Sequence, residues 1–358
     1  MKIKLGDVCT FQSGGTPTKE TEEFFNGTIP WITTTALNGG KIDGTQAVNW
    51  ITEKAIEKSA AKLVPAFSIM VGTRVGVGKV AVNTVQMSTS QDIISLINID
   101  ENQWDKDYLC KYIQGKNAFL NSQARGATIK GIKMDVLANL ELEEITLENQ
   151  ARISETIDRV KAILDARKSE LLELDKLVKA RFIEMFYDKG YPILKWNDVF
   201  TTTTGKLDSN AAVEDGEYPF FTCSKEVLQI DKFAFDQEAL LLAGNNAAGK
   251  YDVKYYNGKF NAYQRTYVLG LKEDWSYQLF RYQLEDKLVY LQQQSLGGLT
   301  KYLTMKILGE LDFIIPPIEK QIEFEVYANQ VDKSKAAVQK SLDETQVLFD
   351  SLMQKYFG

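Results

Sequence analysis

The sequence repeats itself. The segment Leu147-Glu148-Asn149-Gln150 returns about 170 residues later as Ile318-Glu319-Lys320-Gln321. Both copies keep matching beyond these segments, and the regions before them match more loosely. Further matched pairs are Val160 and Val331, Leu171 and Leu342, Gly14 and Gly205, and Pro30 and Pro219. A repeat of this length is too long for a solenoid unit. It predicts two domains, each followed by its own long helix.

The repeated segments carry a helical pattern. Residues 147–187 contain neither glycine nor proline, and apolar residues recur there in alternating steps of three and four, which is heptad spacing. A single long helix cannot bury its own apolar stripe, so we expect each helix to pack on the other. The alternative is that each helix caps its own domain separately. The predicted packing residues are Ile153, Ile157, Val160, Leu164, Leu171, Leu174, Val178, Val331, Val338, Leu342, Phe349 and Leu352.

The rest of the chain is rich in strand and turn signals. Glycine-rich turns separate short β-rich runs such as 68–72 and 93–99, whereas 105–122 has helical spacing. Asn257-Gly258 lies between two β-rich runs and predicts a two-residue hairpin turn. The predicted fold class is α/β (mixed α+β) with two similar strand-rich domains. The predicted domains are residues 1–146 and 188–317, and the predicted helices are 147–187 and 318–358.

Composition excludes several classes of protein. No apolar run approaches 18 residues and the start has no signal-peptide block, so we expect a cytoplasmic protein without a membrane span. The three cysteines are odd in number and far apart, which argues against a disulfide framework and a zinc site. The chain has no histidine, which excludes histidine-based acid–base catalysis, Ser-His-Asp triads and His-ligated metals.

One segment imitates a phosphate-binding loop. Residues 244–250 read Gly-Asn-Asn-Ala-Ala-Gly-Lys, but Tyr251 follows where a Ser or Thr would hold magnesium. A β-rich run comes next instead of a helix, so no helix N-terminus awaits a phosphate. An ATP- or phosphate-using enzyme is therefore disfavoured. The Asn/Asp-Pro-Pro-aromatic motif of adenine methyltransferases is also missing, and we find no catalytic constellation in the sequence.

Local charge differs from the overall balance. The net charge of −6 does not suggest a nucleic-acid binder. However, residues 108–134 and 287–309 contain basic residues and no acid, and these stretches occupy equivalent places in the two repeats. Solvated lysines on a helix and a loop would explain either stretch alone. Their recurrence favours a functional role.

The two junctions between domain and helix are similar to those of a known family. Pro316-Pro317 and Gln321 resemble the helix entry of the specificity subunit of Type I restriction–modification systems, and the resemblance covers the whole chain. The first junction departs from that pattern, because Ile145-Thr146 replaces the prolines while Gln150 is kept. The matched residues before the two helices are Gly126, Thr128, Met134, Leu137 and Leu140, and Gly298, Thr300, Met305, Leu308 and Leu311.

The resemblance implies a function without catalysis on this chain. Each domain is then a target recognition domain that reads one half of a split double-stranded DNA site. The helices form an antiparallel coiled-coil spacer that sets the distance between the half-sites. Two modification subunits dock on the chain and supply S-adenosylmethionine and the adenine-methylating site. Restriction subunits, where present, add ATP- and Mg-dependent work, so no cofactor is expected here. The alternative is a stand-alone DNA-binding or adaptor protein with two such domains.

Candidate DNA contacts are polar or basic residues in glycine-rich loops at equivalent places in the repeats. Arginine binds guanine bidentately, and Gln or Asn binds adenine. Arg74 and Arg125 are the only arginines in the first domain, and both lie beside glycines. The alternative is that the glutamines are structural and the lysines only solvated. The candidates are Thr33, Thr34, Thr35, Arg74, Lys79, Ser90, Gln91, Arg125 and Lys130 in the first domain, and Thr222, Ser224, Asn245, Asn246, Lys250, Gln264, Arg265 and Lys301 in the second.

Overall fold

The computed structural model describes residues 2–126, 128, 130–247 and 249–358. It divides into two compact units, Met1–Lys168 with Ser341–Gly358, and Ser169–Lys340. Each unit therefore contains one globular region and about half of each long helix.

The first unit is built mainly of short antiparallel strands. Its two larger sheets have the strand orders β2-β10-β7-β8-β4 and β5-β3-β9-β6, and β1 pairs with β11. Its strands are β1 (Lys2–Lys4), β2 (Thr10–Ser13), β3 (Phe25–Ile32), β4 (Lys41–Ile42), β5 (Asn49–Ile51), β6 (Leu63–Val64), β7 (Ile69–Gly72), β8 (Val80–Asn83), β9 (Met87–Thr89), β10 (Ile93–Ile97) and β11 (Glu141–Glu143). Its helices are α1 (Leu5–Val8), α2 (Glu53–Lys58), α3 (Lys106–Gly115), α4 (Asn117–Gln123), α5 (Met134–Ala138) and the start of α6 (Leu147–Phe186).

The second unit repeats this plan with longer strands. Its main sheet has the order β13-β19-β16-β18-β14-β15, and the pairs β12-β21 and β17-β20 complete it. Its strands are β12 (Ile193–Lys195), β13 (Phe200–Thr204), β14 (Tyr218–Phe221), β15 (Leu228–Ile230), β16 (Phe235–Ala243), β17 (Asn245–Asn246), β18 (Val253–Ala262), β19 (Thr266–Leu271), β20 (Lys301–Tyr302) and β21 (Asp312–Ile314). Its helices are α7 (Trp196–Val199), α8 (Tyr277–Asp286), α9 (Leu288–Gln294), α10 (Met305–Gly309) and the start of α11 (Ile318–Phe357).

The internal repeat extends to strand pairing. In the first unit β3 runs parallel to β9, with Trp31 opposite Ser88. In the second unit β14 runs parallel to β18, with Phe220 opposite Asn261. Parallel pairs are the exception in both sheets, so their recurrence shows that the two domains share one plan. The predicted mixed α/β class with two long helices is confirmed.

The predicted hairpin at Asn257-Gly258 is wrong. Strand β18 passes straight through both residues and pairs with β16, with Glu238 opposite Asn257 and Gln237 opposite Gly258. The backbone of Gly258 has a φ of +130°, which glycine adopts at little cost. A long ladder with β16 satisfies more backbone groups than a tight turn would, and it overrides the local turn signal.

The two long helices pack on each other in both units, in antiparallel fashion. In the first unit Ile157, near the start of α6, shares a core with Phe357 at the end of α11. In the second unit Phe186, at the end of α6, contacts Phe324 near the start of α11 with ring centroids 5.6 Å apart. Of the predicted packing residues none is exposed: Ile157, Val160, Leu164, Val178, Val331 and Val338 are buried, and Ile153, Leu171, Leu174, Leu342, Phe349 and Leu352 are half-buried.

A buried glutamine in the first turn of each long helix joins it to its domain. The side chain of Gln150 accepts a hydrogen bond from the backbone N–H of Asp105 (2.8 Å) and donates to the carbonyls of Gln103 and Ile145 (both 2.9 Å). The repeat reproduces this, since Gln321 accepts from the N–H of Ser276 (3.0 Å). Asp105 and Ser276 are the N-caps of α3 and α8, so each glutamine fixes the start of the short helix that packs on the long one.

Replacing either glutamine by alanine is expected to lower the free energy of unfolding by about 1–3 kcal/mol, because the substitution leaves buried backbone groups without partners. Urea denaturation of Gln150→Ala and Gln321→Ala would measure this. Gln86→Ala is the matched control, because Gln86 is exposed and its removal should change stability by less than about 0.5 kcal/mol. Equal effects at Gln86 and Gln150 would contradict the role given to the buried amide.

Candidate nucleic-acid interface

Three separate segments of the first unit are joined by backbone hydrogen bonds at one place. The N–H of Thr73, just after β7, donates to the carbonyl of Asp92 (2.8 Å), and the N–H of Ile132 donates to the carbonyl of Thr73 (2.9 Å). Arg125 and Gly131 exchange two hydrogen bonds, which close the loop between them. We call residues 73–79, 90–92 and 125–132 the first loop edge, with Ala127 and Ile129 outside the described residues.

The first loop edge brings Arg74 and Arg125 together. Both line a groove of about 450 Å³, together with Gln123, Lys133 and Asp135. The Nη1 atom of Arg74 lies 4.0 Å from an Asp92 carboxylate oxygen, and its side chain keeps 56% exposure. The arginine is therefore oriented but still available to a ligand. Cations outnumber carboxylates around this groove, which suits a polyanion.

Sequence reasoning missed Lys133 and Gln123 as members of this groove. Lys133 belongs to the acid-free stretch, and that stretch is the only sequence signal for it. Gln123 is the last residue of α4 and carries no local signal. Among the predicted residues outside the groove lining, Lys79, Gln91 and Lys130 are exposed.

Three predicted contact residues are buried, which is a correction to the sequence analysis. Thr34, Ser90 and Thr222 are 5%, 4% and 6% exposed, so their side chains do not reach a base in this conformation. Each lies just after one of the strands that form the parallel pairs, where the chain turns into the loops. Their neighbours Thr33 and Thr35 bond to each other through their hydroxyls (2.8 Å).

The second unit repeats the same hydrogen-bonded frame. The N–H of Gly244, just after β16, donates to the carbonyl of Arg265 (2.8 Å), and the N–H of Leu303 donates to the carbonyl of Gly244 (2.8 Å). Leu296 and Tyr302 exchange two hydrogen bonds, as Arg125 and Gly131 do in the first unit. We call residues 244–250, 263–265 and 296–303 the second loop edge, with Ala248 outside the described residues.

The side chains differ where the frames match. The positions of Arg74, Asp92 and Arg125 are occupied in the second unit by Asn245, Arg265 and Leu296. Three cationic or amide positions are kept instead: Lys79 and Lys250, Lys130 and Lys301, and Gln91 and Gln264. In the second loop edge Lys250, Gln264 and Arg265 are exposed, as is nearby Ser224, and Asn245, Asn246 and Lys301 are half-buried. Sequence reasoning missed Leu299, which is 94% exposed beside Gly297-Gly298.

The segment that imitates a phosphate-binding loop is part of this edge. Asn245 pairs with Tyr302 and Asn246 with Lys301, as strand β17 against β20. The next regular element is strand β18, so the segment lacks the following helix that a P-loop uses. In the second loop edge the segment takes the place that residues 73–79 take in the first.

Two of the three cysteine thiols are shielded by burial. Burial raises the pKa of the Cys9 and Cys110 thiols to about 12, which keeps both protonated and unreactive at neutral pH. No group of three or more Cys, Asp or Glu is placed to hold a metal in the part of the chain that the structure describes. None of the helices formed by those residues is apolar and long enough to span a bilayer.

Comparison with known proteins places this frame in one family. The family model for the Type I restriction modification DNA specificity domain matches residues 1–174 and 189–344. The chain is 37% identical over 150 residues to the Type I restriction enzyme EcoDI specificity subunit of Escherichia coli, which covers 40% of this chain and 32% of that protein. It is 22% identical over 288 residues to the MjaIX specificity subunit of Methanocaldococcus jannaschii, covering 74% of this chain and 65% of the relative. The matches thus span less than two thirds of these relatives' lengths.

Two solved structures share the fold. The S subunit of a Type I restriction–modification system from M. genitalium aligns with a TM-score of 0.64 at 16% identity, over 100% of this chain and 96% of the other. A chain solved in work on complex assembly and conformational transition of the type I R-M system aligns with a TM-score of 0.60 at 16% identity, over 100% and 97%. At such identities these likenesses show the fold alone.

Proposed function

The chain belongs to the family of Type I restriction–modification DNA specificity proteins, and we propose that it reads a split double-stranded DNA site, one half with each loop edge. One observation carries this proposal. The same hydrogen-bonded frame occurs in both units, while Arg74, Asp92 and Arg125 are replaced by Asn245, Arg265 and Leu296. Because the backbone frame is the same in both units while the side chains differ, the two loop edges can recognise different base sequences.

The kept and exchanged positions have different tasks. The paired lysines at 79 and 250, and at 130 and 301, suit phosphate contacts, which set register without reading sequence. Arg74 and Arg125 suit the O6 and N7 acceptors of guanine, and Asn245 suits adenine. The overall negative charge of the chain is compatible with this, because partners in a complex can supply further phosphate contacts.

The remaining parts of the proposal concern the partners. The antiparallel α6 and α11 act as a spacer that fixes the gap between the half-sites. Two modification subunits bind this chain and bring S-adenosylmethionine and the adenine-methylating site, and restriction subunits, where present, bring ATP- and Mg-dependent activity. The chain itself contributes recognition and works in the cytoplasm. The names of its relatives, specificity subunits of Type I restriction enzymes, support this assignment.

The proposal is tested by altering the recognition of each half-site separately. The chain and its modification subunits are produced in a host without other adenine methyltransferases, and the methylated motif is read by long-read sequencing. We expect Arg74→Ala to relax one position in one half of the motif, and Asn245→Ala to relax one position in the other half. Loss of one bidentate contact costs about 1–3 kcal/mol of discrimination, or roughly 5- to 150-fold.

The matched control is Lys2→Ala. Lys2 pairs with Glu141 on the β1-β11 ladder, where both side chains are exposed, so this change should leave the motif intact. Methylation of a continuous site, or a change in both halves from one substitution, would overturn the proposal.

A further inference from the structure

In the second unit, helix α8 is held against both long helices. Leu279 of α8 is buried in one cluster with Val178 of α6 and Phe324 of α11. The Tyr282 ring packs against those of Phe182 and Phe324 in tilted and edge-on arrangements, with ring centroids 4.9 and 5.4 Å apart. Charged residues cover the rim of this apolar contact. We call the polar and charged set the second joint; it consists of Asp175, Gln278, Arg281, Glu285, Asp332 and Lys335, and these residues line a cavity of about 190 Å³.

Arg281 is at the centre of the second joint. Its Nε donates to Glu285 (2.9 Å), its Nη1 to Gln278 (3.2 Å) and its Nη2 to Asp332 of α11 (3.2 Å). The amide of Gln278 also donates to the same Asp332 oxygen (2.9 Å). All three guanidinium nitrogens are therefore used, and the side chain is only 27% exposed. Lys335 approaches Asp332 at 4.0 Å and pairs with Asp175 of α6.

The carboxylates depend on Arg281 for compensation. Burial raises the pKa of Glu285, although the neighbouring Arg281 favours its charged form. The carboxylates of Glu285 and Asp332 are half-buried, and without the guanidinium they would lose the cation that lies between them. Lys335, which approaches Asp332 at 4.0 Å, would be left as the nearby cation.

The first unit attaches its equivalent helix differently. There α3 takes the place of α8, and the position of Arg281 is held by Cys110, which is buried at 4% exposure. That contact includes ring packing, since Tyr108 and Tyr112 lie 5.5 and 6.2 Å from the Phe357 ring. It also includes an ion pair between Lys111 of α3 and Asp158 of α6 (2.9 Å). The guanidinium-centred attachment therefore belongs to the second unit, whereas ring packing occurs in both.

Helix α8 is connected to the second loop edge through strand β16. The hydroxyl of Tyr277 donates to the carbonyl of Glu238 in β16 (3.1 Å) and accepts from the N–H of Leu271 in β19 (3.1 Å). Strand β16 ends at Ala243, directly before Gly244 and Asn245. Tyr277 thus connects α8 to the strand that presents the second loop edge.

We propose that Arg281 is a positioning residue for the second half-site: by tying α8 to α11, it holds the second loop edge at the angle to the helix pair that one gap length requires. The inference rests on the proposed function. It assigns Arg281 no contact with DNA. Arg281 affects the gap length at which the second half-site is recognised, whereas residues of the second loop edge recognise the bases.

The test is a ratio of affinities measured with the chain in complex with its modification subunits. Binding is measured to two duplexes that carry the same half-sites, one with the natural gap and one with a gap longer by one base pair. The ratio is the affinity for the natural-gap duplex divided by the affinity for the longer-gap duplex. Because both duplexes carry the same half-sites, this ratio reports the preference for spacing alone. We expect Arg281→Met to lower this ratio at least tenfold, and Arg281→Lys to restore part of it. Base preference within each half-site should stay as in the unsubstituted chain.

Lys179→Met is the matched control. Lys179 pairs with Asp286 at the edge of the same cavity, outside the second joint, and both side chains are largely exposed. Such a pair contributes little, so the ratio should not change. A ratio unaltered in Arg281→Met would overturn the proposal. Should Arg281→Met fail to fold, the same ratio is measured for Asp332→Asn: a fall supports the proposal and an unchanged value overturns it. An unsubstituted complex with no preference for any gap would instead overturn the proposed function itself, and this inference with it.

Discussion

Inserting four residues into each long helix, after Lys168 in α6 and after Lys340 in α11, is expected to lengthen the gap in the recognised DNA site and to leave both half-site sequences unchanged. The two insertion points lie at the division between the compact units. Four helical residues add roughly 6 Å, which corresponds to about two base pairs at about 3.4 Å each. The expected loss is large, because sites with the original gap should no longer be methylated.

The structure allows this insertion without loss of the helix seam. The flanking packing residues Leu164 and Leu171 are seven positions apart, and four added residues form a stutter, which coiled coils absorb by local unwinding. Inserting into both helices keeps ion pairs such as that of Lys335 with Asp175 opposite each other. The gap is read from long-read methylation sequencing of cells that carry the altered complex.

The control places the same four residues in the exposed turn after Glu101, which lengthens the chain but neither helix. We expect that variant to keep the original gap. If the doubly inserted helices give a motif with the original gap, the helix pair does not set the spacing and the proposed spacer role is lost.

Long-range periodicity made much of this fold predictable. A stretch of forty residues without glycine or proline in heptad spacing allows few alternatives, and both copies formed α6 and α11 as expected. The residues predicted to pack were chosen from spacing alone, and none of them is exposed in the structure. The contact between Phe186 and Phe324 was missed, because these residues meet through antiparallel pairing, which sequence spacing does not show.

Local signals were less reliable than the repeat. Asn257-Gly258 is a strong turn signal, but the pairing partner of β18 is β16, which comes earlier in the chain and outweighs the local preference. Thr34 and Thr222 were chosen as polar residues near glycine-rich loops, but the fold buries both side chains. Both errors come from interactions between segments distant in sequence, which a local pattern cannot show.

Two of the candidate DNA-contact residues lie together in the structure, and the sequence had singled them out for a physical reason. The rarity of Arg74 and Arg125 in the first domain singled them out, and the structure places both in one groove. Their roles in DNA contact stay predictions. Arg281 was not singled out, because its importance arises only when α8 and α11 bring Glu285 and Asp332 to it. Unusual residue types in loops can be recognised from the sequence, whereas a residue that matters through contacts among three helices can be recognised only from the structure.

Substituting Phe324 by alanine is expected to lower the stability of the second unit by about 3–5 kcal/mol, the usual cost of removing a buried aromatic side chain. Phe324 has no exposed surface. Its ring lies against Phe182 and Phe186 of α6 and Tyr282 of α8, with centroid distances of 5.8, 5.6 and 5.4 Å. One side chain thus joins α11 to both neighbouring helices, and its loss leaves a cavity where all three meet.

Urea denaturation followed by far-UV circular dichroism measures this effect, and the transition of the second unit should move to lower denaturant concentration. Phe324→Leu should cost less, because leucine keeps more of the buried apolar area. Val326→Ala lies on the same helix at a position that is 53% exposed, and it should change stability by no more than about 0.5 kcal/mol. If Phe324→Ala shifted the transition no further than Val326→Ala, the three-helix contact would not be what attaches α8 to the long helices in the second unit. The gap selectivity assigned to Arg281 would then lack the rigid base on which it depends.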